Sequence, residues 1–529
     1  MRLQHLKQQM LLYEPTGGVF LWIASATSRR QSKTASSQAT MASKRPVRIT
    51  WIFVFVFHCV SPYHCADAVD STAKLLSRPR YQTFYADAAT RRRMRAELVA
   101  QAAVSHPTYS NSTSLKMEVV HRNMILKTMA SAYGNATMKD TIAQMIARDS
   151  ARVKAIQKRL AMATGVNMSR TVSEEAISAP VVSGLTQGSG EYFASVGLGT
   201  PATRSYLIMD TGSDLSWVQC SPCQSCYKQS TPIFQPSSSS SFKYVSCTNA
   251  LCKQLEQPSC SRSRCQYEVL YGDGSSSIGD LARDTLGFTD GNKVTQVVVG
   301  CGHRNEGLFD GASGLLGLGA GTVSLPSLLR ESFSYCLPHR SGTDSSTLIF
   351  GSSAVPNGAA FTSMERSQRI DTFYYVDVRG ISVGGERLEI STSVFSLGDG
   401  GNSGVIMDSG TTVTRLASSA YRALRKAFSA GLPDLPKVRA DDLLDTCFRM
   451  GSRDTVNVPT VYLHLAGDVT LELPTENYLL PLEDAHRTVC LAFGSSGSSL
   501  SIIGNILQQG YRVSYDNSAG RIGFAARQC

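Results

Sequence analysis

The sequence predicts an all-β body of two similar lobes, preceded by a basic and partly helical segment. Three observations predict it. From Glu191 onward, short runs rich in Val, Ile, Tyr and Phe alternate with Gly, Ser, Asp and Asn, which is the punctuation of strands and turns. An Asp-Thr-Gly loop at Asp210 recurs as Asp-Ser-Gly at Asp408, 198 residues later, and each copy is followed by an apolar-apolar-Gly element. Similar halves of this size indicate a duplicated unit with a pseudo-two-fold axis. Charge is also divided. Residues 1–190 hold 25 Lys and Arg against 10 Asp and Glu, whereas residues 191–529 hold 27 against 31.

In chain order, residues 1–40 show no pattern and read as an upstream extension. Met41 is followed by Lys44, Arg45 and Arg48, then by the apolar run Ile49–Val60 and the small-x-small site Ala66-Asp67-Ala68. A basic start, a short apolar stretch and such a site make residues 41–68 a signal peptide. A helix needs about 20 apolar residues to cross a bilayer, so contact with membrane is expected only through this segment. The alternative is an internal signal-anchor.

Residues 69–190 contain no cysteine and hold the sequons at Asn111, Asn135 and Asn167, which fit secretion. Ile142, Met145, Ile146, Val153, Ile156 and Leu160 have helical spacing. Between them Lys139, Arg148, Arg152, Lys154, Lys158 and Arg159 make another face basic. Such a face is either merely solvated or docks on an acidic surface. Ser183–Gly190 then reads as a linker. No aromatic or helical nucleic-acid-binding pattern accompanies the positive charge, so a nucleic-acid partner is excluded.

In the body, Tyr192–Leu198, Ser205–Met209, Gln266–Leu270, Val294–Val299, Phe373–Val378 and Tyr511–Tyr515 read as strands, and Ser418–Ala430 as the best helix. The run Ser237–Ser241 reads as a solvated loop tip. Fourteen cysteines occur, of which Cys59 and Cys65 adjoin the leader and twelve lie between Cys220 and Cys529. Cys220-x-x-Cys223-x-x-Cys226 could begin a metal site. An even set in a chain with a signal segment favours disulfides, and so an oxidising compartment. His303, just after Cys301, reads as structural.

The repeat carries the chemistry. The first copy is Tyr206-Leu-Ile-Met-Asp210-Thr-Gly-Ser213 and the second Val405-Ile-Met-Asp408-Ser-Gly-Thr411, with Leu315-Leu316-Gly317 and Ile502-Ile503-Gly504 as the later elements. An apolar strand drives each Asp into a tight loop. Gly212 and Gly410 permit close approach, and Ser213 and Thr411 supply hydroxyls to hold the carboxylates. Two carboxylates in contact share a proton, so one is a general base for water while the other donates to a carbonyl. No nucleophilic side chain, metal or cofactor is required.

These motifs resemble the pepsin-like aspartic proteases, from Tyr192 to the C-terminus. Trp217 and Tyr271-Gly272-Asp-Gly-Ser275 resemble that family's tryptophan and flap. The cysteine-rich stretch Cys220–Cys265, Cys301-Gly-His-Arg-Asn-Glu-Gly and Phe333-Ser-Tyr-Cys336-Leu resemble its plant nepenthesin-like branch. So do Leu115-Lys-Met-Glu-Val-Val-His-Arg122 and Ala147-Arg-Asp-Ser-Ala-Arg152-Val in the leading segment. The resemblance implies a bilobal acid-protease fold with two β-barrel-like lobes, residues 191–360 and 361–529, and a cleft between them. It implies an aspartic endopeptidase with Asp210 and Asp408 as the catalytic pair, with Tyr271 closing a flap and bonding Trp217. Residues 69–190 would be a propeptide covering the cleft. The implied pairs are Cys220–Cys223, Cys226–Cys301, Cys247–Cys265, Cys252–Cys260, Cys336–Cys529 and Cys447–Cys490. Partners would be protein or peptide substrates and its own propeptide, with the protein a monomer in the apoplast, or else in vacuole or plastid. Some plant members of this fold inhibit xylanases instead. They characteristically have damaged loops, whereas both loops are complete here.

Overall fold

The computed structural model describes residues 78–94, 114–128, 138–164 and 192–529, apart from short gaps inside those ranges. The leader, residues 1–40, the linker Ser183–Gly190, the three sequons, Cys59 and Cys65 lie outside the described residues, as does Gly272. No helix among the described residues is long and apolar enough to cross a membrane.

Most strands join one hydrogen-bonded system that closes on itself. Its strands run apolar on both faces because both are covered. Tyr192–Leu198 is buried at six of its seven positions. The duplication is visible in the pairing. Gly314–Gly317 lies parallel to Thr203–Asp210, with Gly317 opposite Asp210, and antiparallel to Trp217–Gln219. Leu500–Ile503 repeats this. It lies parallel to Gly404–Met407 and meets Thr414–Leu416 antiparallel, Ile502 opposite Arg415. The apolar-apolar-Gly elements are therefore the strands that flank each Asp strand. The lobes are tied by Phe333–Cys336, which pairs with Ser346–Phe350 and with Tyr511–Asp516. Phe333 stacks on Tyr515 with ring centroids 4.5 Å apart. The second half adds two four-stranded sheets, and the helix Ser418–Ala430 forms as its spacing predicts, burying Ala420, Tyr421, Leu424 and Phe428.

The leading segment is built into this body. Tyr81–Tyr85 pairs with Thr455–Pro459. Leu115–His121 sits between Tyr192–Leu198 and Ser346–Phe350, with Met117 and Val119 fully buried. The long helix Met138–Thr164 lies on the second lobe. Ile142, Met145 and Ile146 pack with Val413, Leu480 and Ile506, while Val153, Ile156 and Leu160 pack with Phe373, Ile406 and Ile502. The apolar stripe read from the sequence is thus its docking face. Burial of each such side chain contributes about 1.5–3 kcal/mol, against about 0–1 kcal/mol for an exposed ion pair. The apolar stripe therefore outweighs the exposed charges of the helix such as Arg159 with Glu256, and Lys154 and Lys158 remain exposed to water.

All twelve body cysteines are paired, but four of the pairs implied by resemblance are different. Cys220 bonds Cys301, not Cys223, because its strand runs beside the Cys301 strand and its N–H donates to Gly302 O at 2.9 Å. Cys223 and Cys226 close on each other. Cys260 and Cys265 stand opposite one another across a hairpin and point to separate partners. Buried Cys265 meets Cys252 in the first lobe's core, and exposed Cys260 meets Cys247. Cys336–Cys529 and Cys447–Cys490 are as the resemblance implies. Non-reducing peptide mapping is expected to recover Cys220–Cys301 and Cys252–Cys265. A Cys226–Cys301 linked peptide would contradict this arrangement.

Candidate active site

Asp210 ends its strand and Asp408 follows the end of the matching one, so the duplicated topology brings both loops to one axis. Each carboxylate is fully buried and held in the same way. Asp210 Oδ1 accepts from Gly212 N at 2.9 Å and its Oδ2 from Ser213 Oγ at 2.7 Å. Asp408 Oδ1 accepts from Gly410 N at 3.0 Å and its Oδ2 from Thr411 Oγ1 at 2.5 Å. The glycines are needed for closeness. A Cβ on Gly410 would stand 2.6 Å from Asp210 Oδ1, and one on Gly212 2.9 Å from Asp408 Oδ1.

Thr211 and Ser409 lock the loops together, a role the sequence reading did not assign. Thr211 N donates to Ser409 Oγ at 3.1 Å, and Ser409 N donates to Thr211 Oγ1 at 2.9 Å. Each hydroxyl then donates across the axis, Thr211 to Met407 O at 3.3 Å and Ser409 to Met209 O at 3.0 Å. A hydroxyl one residue after each Asp was the available signal.

Trp217 and Tyr271 also meet, with Trp217 Nε1 donating to Tyr271 Oη at 2.7 Å. Both rings pack edge-on against Phe309. Burial pushes the Tyr271 phenol well above its ordinary value, so it stays neutral. Tyr271 begins the turn of a hairpin between Arg264–Leu270 and Ser276–Gly287. His303 lies away from these groups, between Pro222 O at 3.0 Å and Asp280 at 3.5 Å.

The side chain between the two carboxylates is Arg152, from the long helix. Its Nη2 donates to Asp210 Oδ1 at 2.5 Å and to Asp408 Oδ1 at 2.9 Å, while Nε reaches Asp408 Oδ2 at 2.8 Å. Burial would raise the Asp408 carboxyl, but the guanidinium, with Thr411 and Gly410, outweighs it and holds the carboxyl below its ordinary value. One turn earlier, Asp149 is buried on the second lobe. It accepts from Thr412 N at 2.5 Å, from Val413 N at 3.3 Å, and from Arg415 through Nε at 3.0 Å and Nη2 at 2.8 Å. Within the next two turns after Arg152, Gln157 donates to Ser496 O at 2.7 Å, and Arg159 to Thr372 Oγ1 at 3.1 Å. The basic face thus has selective use, with Arg152 and Arg159 reaching the body. Neither Asp149 nor Arg415 was singled out in the sequence.

Without Arg152, such a pair could share one proton, take a proton from water and give one to a carbonyl. Among the described residues, no cluster of His, Cys, Asp and Glu suits a metal.

Residues 192–352 match the family described as xylanase inhibitor N-terminal, and residues 373–526 the one described as xylanase inhibitor C-terminal. Aspartyl protease family protein 2 of Arabidopsis thaliana is 46% identical over 403 residues, covering 75% of this chain and 82% of that one. Aspartic proteinase nepenthesin-1 of Nepenthes gracilis is 39% identical over 402 residues, covering 75% and 87%. The solved structure of basic 7S globulin from soybean superposes with a TM-score of 0.51 at 21% identity, covering 63% of this chain and 92% of that one, which shows a shared fold. With identity at this level over most of each protease, the chain belongs to the plant branch of the pepsin-like aspartic proteases and is an aspartic endopeptidase.

Proposed function

We propose that Asp210 and Asp408 are the proteolytic dyad, and that residues 69–190 are a propeptide which keeps it latent until acid exposure. The observation that carries this reading is the Arg152 guanidinium, bonded to both carboxylates beneath a helix that covers them. A substrate peptide needs the same place. With the helix gone, the pair holds one shared proton and a water. The ionised member takes the water's proton as oxygen attacks the scissile carbonyl, and the protonated member donates to the carbonyl oxygen. Ser213, Thr411, Gly212 and Gly410 hold the carboxylates, and Tyr271 with Gly272 closes over the peptide, braced by Trp217. The disulfides and the leader at 41–68 support the secretory route, with the apoplast first among destinations. A xylanase inhibitor would need neither carboxylate, so the intact, matched loops favour proteolysis.

The sign of the acid response follows from Asp408. Arg152 depresses the Asp408 carboxyl in the closed form. Such a group stabilises closure fully above the pKa it has when open, and that contribution is lost as pH falls through its depressed value. Asp149 runs the other way, since burial raises its carboxyl, with Arg415 lowering it only in part, so protonation there does not loosen closure. The acid response thus comes through Asp408. In pulsed hydrogen exchange on the intact wild-type chain, protection of residues 138–164 is expected to fall on acidification, with peptidase activity appearing alongside. Full activity of the intact chain at neutral pH, or unchanged protection in acid, would overturn latency.

A further inference from the structure

We infer that Arg415, with the backbone N–H groups of Thr412 and Val413, forms a subsite for an acidic side chain of the substrate, which Asp149 fills in the closed chain. The inference rests on the reading that substrate replaces the long helix. Asp149 carries the only carboxylate of the helix that is fully enclosed among the described residues, and it receives two amide and two guanidinium hydrogen bonds. A planar guanidinium fork beside two amides offers only donors, which matches the two acceptor oxygens of an acidic group better than an amide side chain, whose NH2 would face them.

The site belongs to the body rather than to the helix. Arg415 stands seven residues after Asp408, as Trp217 stands seven after Asp210. The strand pairings agree, with Leu315 opposite Trp217 and Ile502 opposite Arg415. Trp217 braces Tyr271 from one lobe, and the pseudo-two-fold relation puts Arg415 at the matching place on the other. Its berth is prepared by Gly494 on the neighbouring strand, where a Cβ would come 2.5 Å from Arg415 Nη1. The guanidinium's hydrogen bonds go to Asp149 and to Ser150 Oγ, both on the helix. Departure of the helix strips it and both amides of acceptors at once.

The helix also gives the scale. Asp149 and Arg152 are three residues apart, a rise of about 4.5 Å in a helix. An extended peptide advances about 3.3 Å per residue. An acidic residue within about three positions of the scissile bond, on the Asp408 side, therefore reaches the same donors.

The test uses the full chain after acid activation and peptides with one fixed scissile pair. Cysteic acid, which stays ionised in acid, is compared with Gln at each of the positions flanking that bond. Wild type is expected to cleave the cysteic acid peptide with a kcat/KM about tenfold higher at one position. Arg415→Gln should bring that ratio to near parity, Arg415→Lys should restore part of it, and Gly494→Ala should reduce it by displacing the guanidinium. Parity in wild type at every position would overturn the subsite, and wild type decides this even where a variant fails to fold. A preference that survives in folded Arg415→Gln would also overturn it. No cleavage of any peptide by wild type would instead overturn the proteolytic reading beneath it.

Discussion

Asp210→Asn and Asp408→Asn are each expected to lower kcat/KM of the acid-activated enzyme by a factor of roughly 10²–10⁴, the usual worth of a positioned acid or base. Asn keeps the size of Asp and can still accept from Gly212 or Gly410 N–H. It cannot exchange the shared proton. The remaining carboxylate is then asked to serve as base and acid together. Each substitution should cost about as much alone as both do together, because the pair acts as a unit. Thermal unfolding should shift little by comparison, since the loops are also joined by the Thr211 and Ser409 hydrogen bonds, which neither change touches. Peptide hydrolysis by purified, folded variants is the measurement. Activity near wild type in either one would remove that residue from the dyad.

These two residues were legible because they are repeated. A single Asp-Thr-Gly is a common turn, but a second copy behind a second apolar strand has a shared cause, and the strand pairing supplies it. The helical stripe was legible for the same kind of reason. Its six apolar residues obey one period, and all six are buried. What periodicity cannot supply is the identity of a partner. Six basic residues follow that stripe, and nothing in their spacing separates Arg152 from Lys154. Asp149 in a basic helix looks like a solvated neighbour of Arg152. It acquires meaning only from Arg415, 266 residues away in the chain. The disulfides were illegible for a related reason. Four cysteines within Cys247–Cys265 admit several pairings, and the hairpin geometry that sends Cys260 and Cys265 to different partners is not written in their order.

Arg152→Ala in the full chain is expected to break latency in part while leaving the lobes folded. Removing one partner of a buried ion pair costs about 3–5 kcal/mol, because the other charges stay enclosed. That corresponds to a loss of closure of roughly a hundredfold or more. The apolar stripe will still hold the helix part of the time, so the expected result is partial opening rather than release. In mild acid, intact Arg152→Ala chain should hydrolyse peptides from the first seconds, before any shortened product is visible, where intact wild type shows a lag. The pH dependence of closure should weaken as well. In wild type the guanidinium depresses the Asp408 carboxyl against the pull of burial. Without it that depression is lost, and with it most of the acid-linked loss of closure. Protection of residues 138–164 in the variant should therefore fall less on acidification than in wild type. Lys at this position keeps one charge but not the fork that spans both carboxylates, so Arg152→Lys should fall between the two. An intact Arg152→Ala chain with the wild-type lag, or with protection that falls as far in acid as in wild type, would show that the helix is held shut by its apolar face alone.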